Sequence, residues 1–196
     1  YMGSLSLDEV RTRFSPHQYG VLNTWLNVAW SYHEGDRTQW RGSESQRRAT
    51  RSFMGMALLH DIPMWMADLH PEERSAVLGT LDRFGVEHAD FRGYWQPDAI
   101  AETSTADAAI SAYVLDRGAR ALLVVVNLNE QPKNVEIQLR RDPMGANAAV
   151  DWTASSDAAD DRQEIGSSGR FQWRGSGHDF DLIELSPRSN GDHHVD

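Results

Sequence analysis

The sequence contains no cysteine, which excludes disulfides, thiolate metal sites and a cysteine nucleophile. No run approaches the roughly 18 to 20 apolar residues of a membrane-spanning helix, and the first residues lack the pattern of a signal peptide. Basic residues are few, with 19 Lys and Arg against 29 Asp and Glu and a formal net charge of -10. Such a charge repels a phosphate backbone. We therefore expect neither a membrane nor a nucleic acid as partner. The cellular compartment stays open, because a cysteine-free chain fits reducing and oxidising surroundings alike.

Motifs for nucleotide, serine-hydrolase and zinc chemistry are also missing. The chain has no glycine-rich phosphate loop and no Gly-x-Ser-x-Gly motif. No two histidines outside the C-terminal stretch stand at the i, i+4 spacing of a zinc-binding helix. We therefore expect no cofactor and no metal site. Residues 189–196 are polar, without periodic apolar residues, and are predicted to form a disordered tail.

Two helices are predicted in the first part of the chain. Ser43 followed three residues later by Gln46 forms a capping-box pattern, which predicts a helix that ends before Pro63. Pro71 at a first-turn position and Gly85 as a C-terminal cap delimit the second helix. With 40% apolar residues in 196, the chain can fill a substantial core.

The segment 19–30 is apolar but has an ambiguous period. Leu22, Trp25, Leu26 and Ala29 fit one face of a helix, whereas Gly20 could equally open a buried strand. We favour the helix. The following residues, 31–42, contain glycine and aspartate breakers and are predicted to form a loop.

The second part of the chain has the pattern of an antiparallel β-sandwich. Short runs rich in β-branched or aromatic residues alternate with Gly, Asp, Asn or Pro clusters. These predicted strands are 109–115, 121–128, 134–139, 148–153, 170–173 and 180–185. The continuous apolar run 122–126 predicts a central strand, while residues 155–168 are predicted to be a mobile loop.

The predicted fold class is α+β, with a helical segment at 1–88, an antiparallel sandwich at 89–188 and the tail at 189–196. Four aromatic residues near the boundary, Phe84, Phe91, Tyr94 and Trp95, are expected to form a seam between the two parts. A helical pair this short has too little core to fold alone.

Paired acids give no convincing catalytic site. Asp8 and Glu9 are adjacent on a predicted helix and so point about 100° apart, which is poor geometry for an acid and a base. Asp179 and Asp181 would share one strand face, where they could hold calcium or a sugar hydroxyl, but an exposed strand face is favoured. We assign no catalytic residue.

An aromatic, polar-tipped cluster remains in the segment 30–40. Aromatic faces beside polar side chains suit a sugar, since its apolar face stacks and its hydroxyls form hydrogen bonds. The favoured alternative is that these rings close the helical core, and Trp30 is expected to do so. The candidate substrate-binding residues are Tyr32, His33, Asp36 and Trp40.

The order of elements resembles the C-terminal part of a glycoside hydrolase. The resemblance lies in the segment 56–63, the helix after it, the aromatic link 89–95 and the strands 121–128 and 180–185. In the galactosidase-like and hexosaminidase-like families, a (β/α)₈ barrel precedes a small antiparallel sandwich. The resemblance thus implies that 1–88 are the last barrel elements.

The same resemblance implies that the catalytic acids, which sit at the ends of mid-barrel strands, lie outside this chain. The isolated chain is then inactive, and its partners are a carbohydrate and the remainder of a barrel, upstream or in another chain. The alternative is a non-catalytic carbohydrate-binding or protein-interaction module.

Overall fold

The structure, a computed structural model, describes residues 2–14, 24–26, 37–115, 119–140, 152–156, 161–165 and 168–187. Its helices are α1 (Leu7–Arg13), α2 (Arg37–Trp40), α3 (Glu44–Leu59) and α4 (Pro71–Phe84), followed by a 3₁₀ turn at Val86–His88. None of the described helices is long and apolar enough to cross a membrane.

Eleven strands accompany these helices in the described part. They are β1 (Trp25–Leu26), β2 (Met64–Trp65), β3 (Asp90–Arg92), β4 (Ala101–Thr103), β5 (Ala108–Leu115), β6 (Arg120–Asn127), β7 (Lys133–Leu139), β8 (Trp152–Ser156), β9 (Asp161–Ile165), β10 (Arg170–Gly175) and β11 (Asp179–Pro187).

The strands form two antiparallel sheets and one parallel pair. The larger sheet has the order β3-β5-β6-β11-β8-β9, and the smaller has the order β10-β7-β4. Strands β1 and β2 pair in parallel, with Trp25 opposite Met64 and Leu26 opposite Trp65. The chain is therefore an α+β protein dominated by antiparallel sheet.

The two antiparallel sheets pack face to face, as the strand spacing predicted. Strand β6 lies between β5 and β11, and Leu122 to Val126 are fully buried, which confirms the predicted central strand. In β7 the buried residues Val135, Ile137 and Leu139 alternate with two more exposed polar residues. One face of β7 thus packs against the large sheet while the other meets solvent.

Helix α3 lies between the large sheet and the parallel pair. Every residue from Phe53 to Leu59 is buried, the pattern of a helix surrounded by protein. On one side the Phe53 ring lies 5.8 Å from the Trp25 ring of β1. On the other, a Cβ atom added at Gly55 would lie 2.9 Å from Phe180 of β11, so the missing side chain allows close contact with the sheet.

The predicted helix ends are confirmed. The Ser43 side chain accepts a hydrogen bond from the Gln46 backbone N–H, while the Gln46 side chain accepts from Gly42 rather than from Ser43. Gly85 ends α4 in the left-handed conformation at φ 86°, which costs glycine little.

Three sequence predictions were wrong. Trp25 and Leu26 form a strand, because the Trp25 N–H donates to the Pro63 carbonyl oxygen at 2.8 Å, a contact far away in sequence. Residues 37–40 of the predicted loop are helical. The predicted mobile loop 155–168 contains β9, which has a single apolar residue, Ile165, opposite Trp152 of β8.

The predicted seam exists in the described structure. Phe84 is buried in the same core cluster as α3, and Phe91 and Tyr94 pack against that cluster. The Trp95 ring stacks on the ring of His60 with a centroid distance of 5.6 Å. The aromatic link therefore joins the C-terminal end of α3 to the large sheet.

A partly buried arginine links α3, α4 and β11. Arg51 Nε donates to Asp179 Oδ1 at 2.5 Å and Nη1 donates to Glu73 Oε2 at 2.8 Å, while Nη2 donates to the Phe180 carbonyl oxygen. Burial alone would lower the pKa of Arg51, but Asp179 and Glu73 outweigh burial and raise it. One guanidinium thus holds three elements together.

Two helical glycines provide a matched test of the α3 contact. We expect Gly55→Ala to destabilise the protein by about 1 to 3 kcal/mol, because the new methyl group overpacks against Met2 and Phe180. Gly79→Ala in α4 meets no atom within 4 Å and should stabilise by about 0.5 to 1 kcal/mol. Urea unfolding followed by circular dichroism measures both, and equal effects would contradict the close approach.

The arginine link gives a second prediction. Arg51→Met should destabilise by about 3 kcal/mol, because Asp179 and Glu73 would lose the cation that compensates their partial burial. Arg48→Met, in the same helix but with 82% of its side chain exposed, should change the free energy of unfolding by less than about 0.5 kcal/mol. A similar loss in both variants would show that the link contributes little.

Candidate functional site

The parallel pair places two connecting segments at one end of the structure. Strands β1 and β2 run in the same direction, so the segments that follow them leave from the same edge. The segment after β1 leads to α3, and residues 66–70 lead from β2 to α4. Binding residues on α/β units concentrate at this edge, outside the carboxyl ends of the strands.

The segment 66–70 is fixed to the first turns of α3. Gln46 Nε2 donates to the Asp68 carbonyl oxygen at 3.0 Å, and the His70 N–H donates to Thr50 Oγ1 at 2.8 Å. Gln46 also accepts from the Gly42 N–H at 2.7 Å. Because Gln46 and Thr50 are buried, these bonds are shielded from water and hold both connections in place.

A cleft of about 210 Å³ lies where these connections meet; its lining residues are Arg41, Gly42, Gln46, Asp68, Leu69 and Pro71. Asp68 has φ 59°, an uncommon conformation for a non-glycine residue and one that often occurs at functional sites. Arg41 forms no ion pair with any other residue of the described part. The cleft thus combines the charged side chain of Arg41 with a turn at Asp68 that is held through its backbone carbonyl oxygen.

Trp65 is exposed on the face of β2 that is turned away from the core. Its neighbours Met64 and Met66 pack against the α3 cluster, and strand alternation directs Trp65 to the opposite side. Its exposed fraction is 59%, and it is the one large apolar side chain of the described part that is exposed. A ring presented in this way can stack on a ligand or be covered by a partner.

The candidate substrate-binding residues from the sequence are only partly described. Tyr32, His33 and Asp36 lie outside the described residues. Trp40 ends α2, and its side chain is 5% exposed. The sugar-binding role of these four residues stays a prediction.

His60 belongs to a closed aromatic cluster. Its Nδ1 lies 2.8 Å from the Met56 carbonyl oxygen, as expected for a histidine at a helix end, and its Nε2 lies 3.3 Å from the Tyr94 hydroxyl. Burial lowers the pKa of His60 and raises the pKa of Tyr94 to about 12. Both groups are therefore neutral near pH 7. They contribute to the aromatic seam between α3 and the large sheet.

The expected exposed strand face at Asp179 and Asp181 is wrong. Asp179 pairs with Arg51, and Asp181 accepts a hydrogen bond from Ser156 Oγ at 2.6 Å. Burial raises the pKa of Asp181, although the bond from Ser156 acts in the opposite direction. The two acids therefore have separate partners and form no shared site.

The acids of α1 have partners within that helix and its cap. Glu9 caps α1 through Ser6, and Asp8 pairs with Arg11. No group of three or more acids or histidines that could hold a metal ion occurs among the described residues.

Sequence reasoning missed Trp65, Arg41 and Asp68. The alternation of Met64, Trp65 and Met66 after Pro63 was the available signal for a short strand with one outward aromatic ring. Nothing in the sequence indicated that Arg41 and Asp68 line one cleft, since the contact through Gln46 is tertiary.

Comparison by sequence gives no assignment, since no family model matches this chain and no curated protein sequence matches it. Comparison of structures finds glycoside hydrolases. A protein proposed to be an alpha-N-acetylgalactosaminidase from Bacillus halodurans is similar over 74% of this chain, with 18% identity and a TM-score of 0.49.

Two further structures show the same partial likeness. A β-L-arabinopyranosidase from Geobacillus stearothermophilus matches 74% of this chain with 15% identity and a TM-score of 0.47. An alpha-amylase from Geobacillus thermoleovorans matches 74% with 12% identity and a TM-score of 0.45. This chain spans about a third of the length of these proteins, between 31% and 34%.

Proposed function

We propose that this chain is the C-terminal portion of a carbohydrate-active hydrolase, comprising the last βα units of a (β/α)₈ barrel and the sandwich that follows. In this role it completes the barrel wall, holds the sandwich against it and lends binding residues to the substrate site. The catalytic acids belong to the remainder of the barrel.

The observation that carries the proposal is the one-sided burial of the β1–β2 pair. Parallel strands occur almost only in sheets covered on both faces, yet here the face opposite α3 presents Trp65 with 59% of its side chain exposed. Neither strand pairs with another strand of the described part. Further parallel strands would pair with the unpaired edges of β1 and β2 and would cover the exposed face of the pair.

The sequence of layers supports the same proposal. The short α2 and then α3 follow β1, and α4 follows β2, so the described units have the repeating strand-helix order of a barrel wall. The large antiparallel sheet packs on the opposite side of α3 from the parallel pair. A sandwich docked on the outer helices of a barrel would have this arrangement.

The substrate-facing edge would then be the carboxyl ends of β1 and β2. Tyr32, His33, Asp36 and Trp40 follow β1 in the chain and would supply hydrogen bonds to sugar hydroxyls. Because Trp40 is buried, little of its ring is available for stacking.

Catalytic acids are not among the residues proposed to act. Glu73 and Asp179 both bind the Arg51 guanidinium and so have a structural role. Glycoside hydrolysis requires one carboxyl group to protonate the leaving oxygen and another to attack or activate water. The described part offers no such pair.

Turnover assays test this division of roles. The isolated chain is expected to show no hydrolysis of a panel of aryl glycosides, because it lacks the acid pair. A gene product that extends upstream of Tyr1 is expected to hydrolyse at least one of them. Hydrolysis by the isolated chain that is abolished by Asp8→Asn, Glu9→Gln or Asp61→Asn would contradict the proposal.

Hydroxyl-radical footprinting tests the open face directly. Trp65 should be oxidised rapidly in the isolated chain, because most of its ring is exposed, and should become protected about tenfold when upstream barrel residues are present. Trp152, which is buried in the sandwich, is the control and should be protected in both samples.

The two outcomes separate the candidate functions. Protection of Trp65 together with turnover supports the barrel. Continued oxidation of Trp65 in the longest natural gene product would contradict it and favour a free-standing binding or interaction module.

A further inference from the structure

Asp181 lies inside the sandwich without an ion-pair partner. Its neighbours in strand alternation on β11, Ile183 and Leu185, belong to the core between the two sheets, so its side chain is directed to the same side. Asp181 is partly buried and forms no ion pair with any residue of the described part. Arg51 acts on it from α3, but that guanidinium is engaged by two other acids. A carboxylate removed from water in this way is costly unless a cation pairs with it.

Neutral donors surround this carboxylate and leave a position for a cation. Ser156 Oγ donates to Oδ2 at 2.6 Å, and the Leu182 N–H donates to Oδ1 at 2.8 Å. The Trp173 side chain is a third donor. An ionised carboxylate has about four positions that accept hydrogen bonds, so one position is left. None of the three donors carries a charge that would offset the charge of Asp181.

A pocket of about 130 Å³ lies at this carboxylate, between the two sheets. We call it the Asp181 pocket; its apolar lining residues are Ala154, Phe171, Trp173 and Ile183, and Ser156 and Asp181 supply polar groups. It reaches the surface at β10, where Arg174 lies on the exposed face of the strand. Alternation with the buried Trp173 directs the Arg174 side chain away from Asp181. The pocket therefore combines one uncompensated negative charge with apolar walls.

The size and lining of the Asp181 pocket select a small organic cation. A cavity of about 150 Å³ holds a molecule of the size of benzene, so this pocket accommodates roughly four or five non-hydrogen atoms. A calcium ion needs about six to eight oxygen ligands, whereas the described residues include no group of three or more acids or histidines that could hold a metal. An ammonium group donates hydrogen bonds and carries the opposite charge, and a short hydrocarbon chain attached to it would contact the apolar walls.

We infer that the Asp181 pocket binds the primary ammonium group of a small amine, with the Asp181 carboxylate as its ion-pair partner. The inference goes beyond the proposed function and does not depend on it, because every residue that lines the pocket belongs to the sandwich. The isolated chain therefore suffices for its test.

Titration with methylammonium and propylammonium, followed by proton–nitrogen correlation NMR, tests the inference. The indole N–H signal of Trp173, identified by its absence in Trp173→Phe, should shift saturably at millimolar concentration, because this side chain donates toward Asp181. Propylammonium should bind about tenfold more tightly than methylammonium, because its additional carbon atoms contact the apolar walls.

A matched pair of variants identifies the carboxylate that binds. Asp181→Asn should weaken the binding of both amines by about tenfold or more, as expected for the loss of a charged partner. Asparagine keeps an oxygen that can accept from Ser156 and removes the partly buried charge, so this variant should retain its melting temperature. Asp90→Asn changes a carboxylate whose side chain is 82% exposed and should leave amine binding unchanged.

Lowering the pH tests the same charge in the unmodified chain. Burial raises the pKa of Asp181, although its hydrogen-bond donors act in the opposite direction. Protonation therefore removes the charge at a higher pH than in an ordinary aspartate. Amine binding should be lost as the pH falls, and it should be lost at the same pH in Asp90→Asn.

Neutral and differently shaped probes define the ligand class. Propanol has no charge, tetramethylammonium has no N–H donor, and potassium has no hydrocarbon part, so none of them should produce the saturable shift of Trp173. An equal response to one of these probes, no saturable shift with either amine, or unchanged binding by Asp181→Asn would overturn the inference. These outcomes are independent of turnover and of Trp65 protection, which test the proposed function.

Discussion

The burial of the C-terminal half of α3, from Phe53 to Leu59, is the constraint on which the rest of this structure depends. A helical segment that is apolar around its whole circumference must be covered on every side, and here the large sheet and the parallel pair both cover it. The contact with the sheet is close because Gly55 has no side chain to separate α3 from Phe180. The helix thereby fixes where the sandwich and the β1–β2 pair lie.

The polar residues of α3 form hydrogen bonds that fix the positions of neighbouring segments. Arg51 binds the ends of β11 and α4, while Gln46 and Thr50 bind the connection after β2. Buried polar groups are costly unless they are hydrogen-bonded, and these residues obtain their partners from distant segments. The helix that forms the core is therefore also the element that shapes the cleft.

The two faces of the β1–β2 pair differ in burial. One face is filled by Trp25 and Phe53, while the other leaves Trp65 in solvent. An exposed large aromatic ring on a parallel sheet is unfavourable for a free-standing domain. The same ring is well placed in a barrel, where the strand ends face the substrate.

The sequence by itself determined the features that arise from local periodicity and capping: the helix after Ser43, the Gly85 cap, the central strand at 122–126 and the alternation in β7. It did not determine that Trp25 and Leu26 form a strand, that β9 exists, or that Arg41 and Asp68 line one cleft. Two of these depend on a partner distant in the chain, Pro63 for β1 and Asp68 for the Gln46 amide of the cleft. Strand β9 pairs with the nearby β8, but its single apolar residue gave no periodic signal in the sequence. Only the tertiary structure brings those partners within hydrogen-bonding distance.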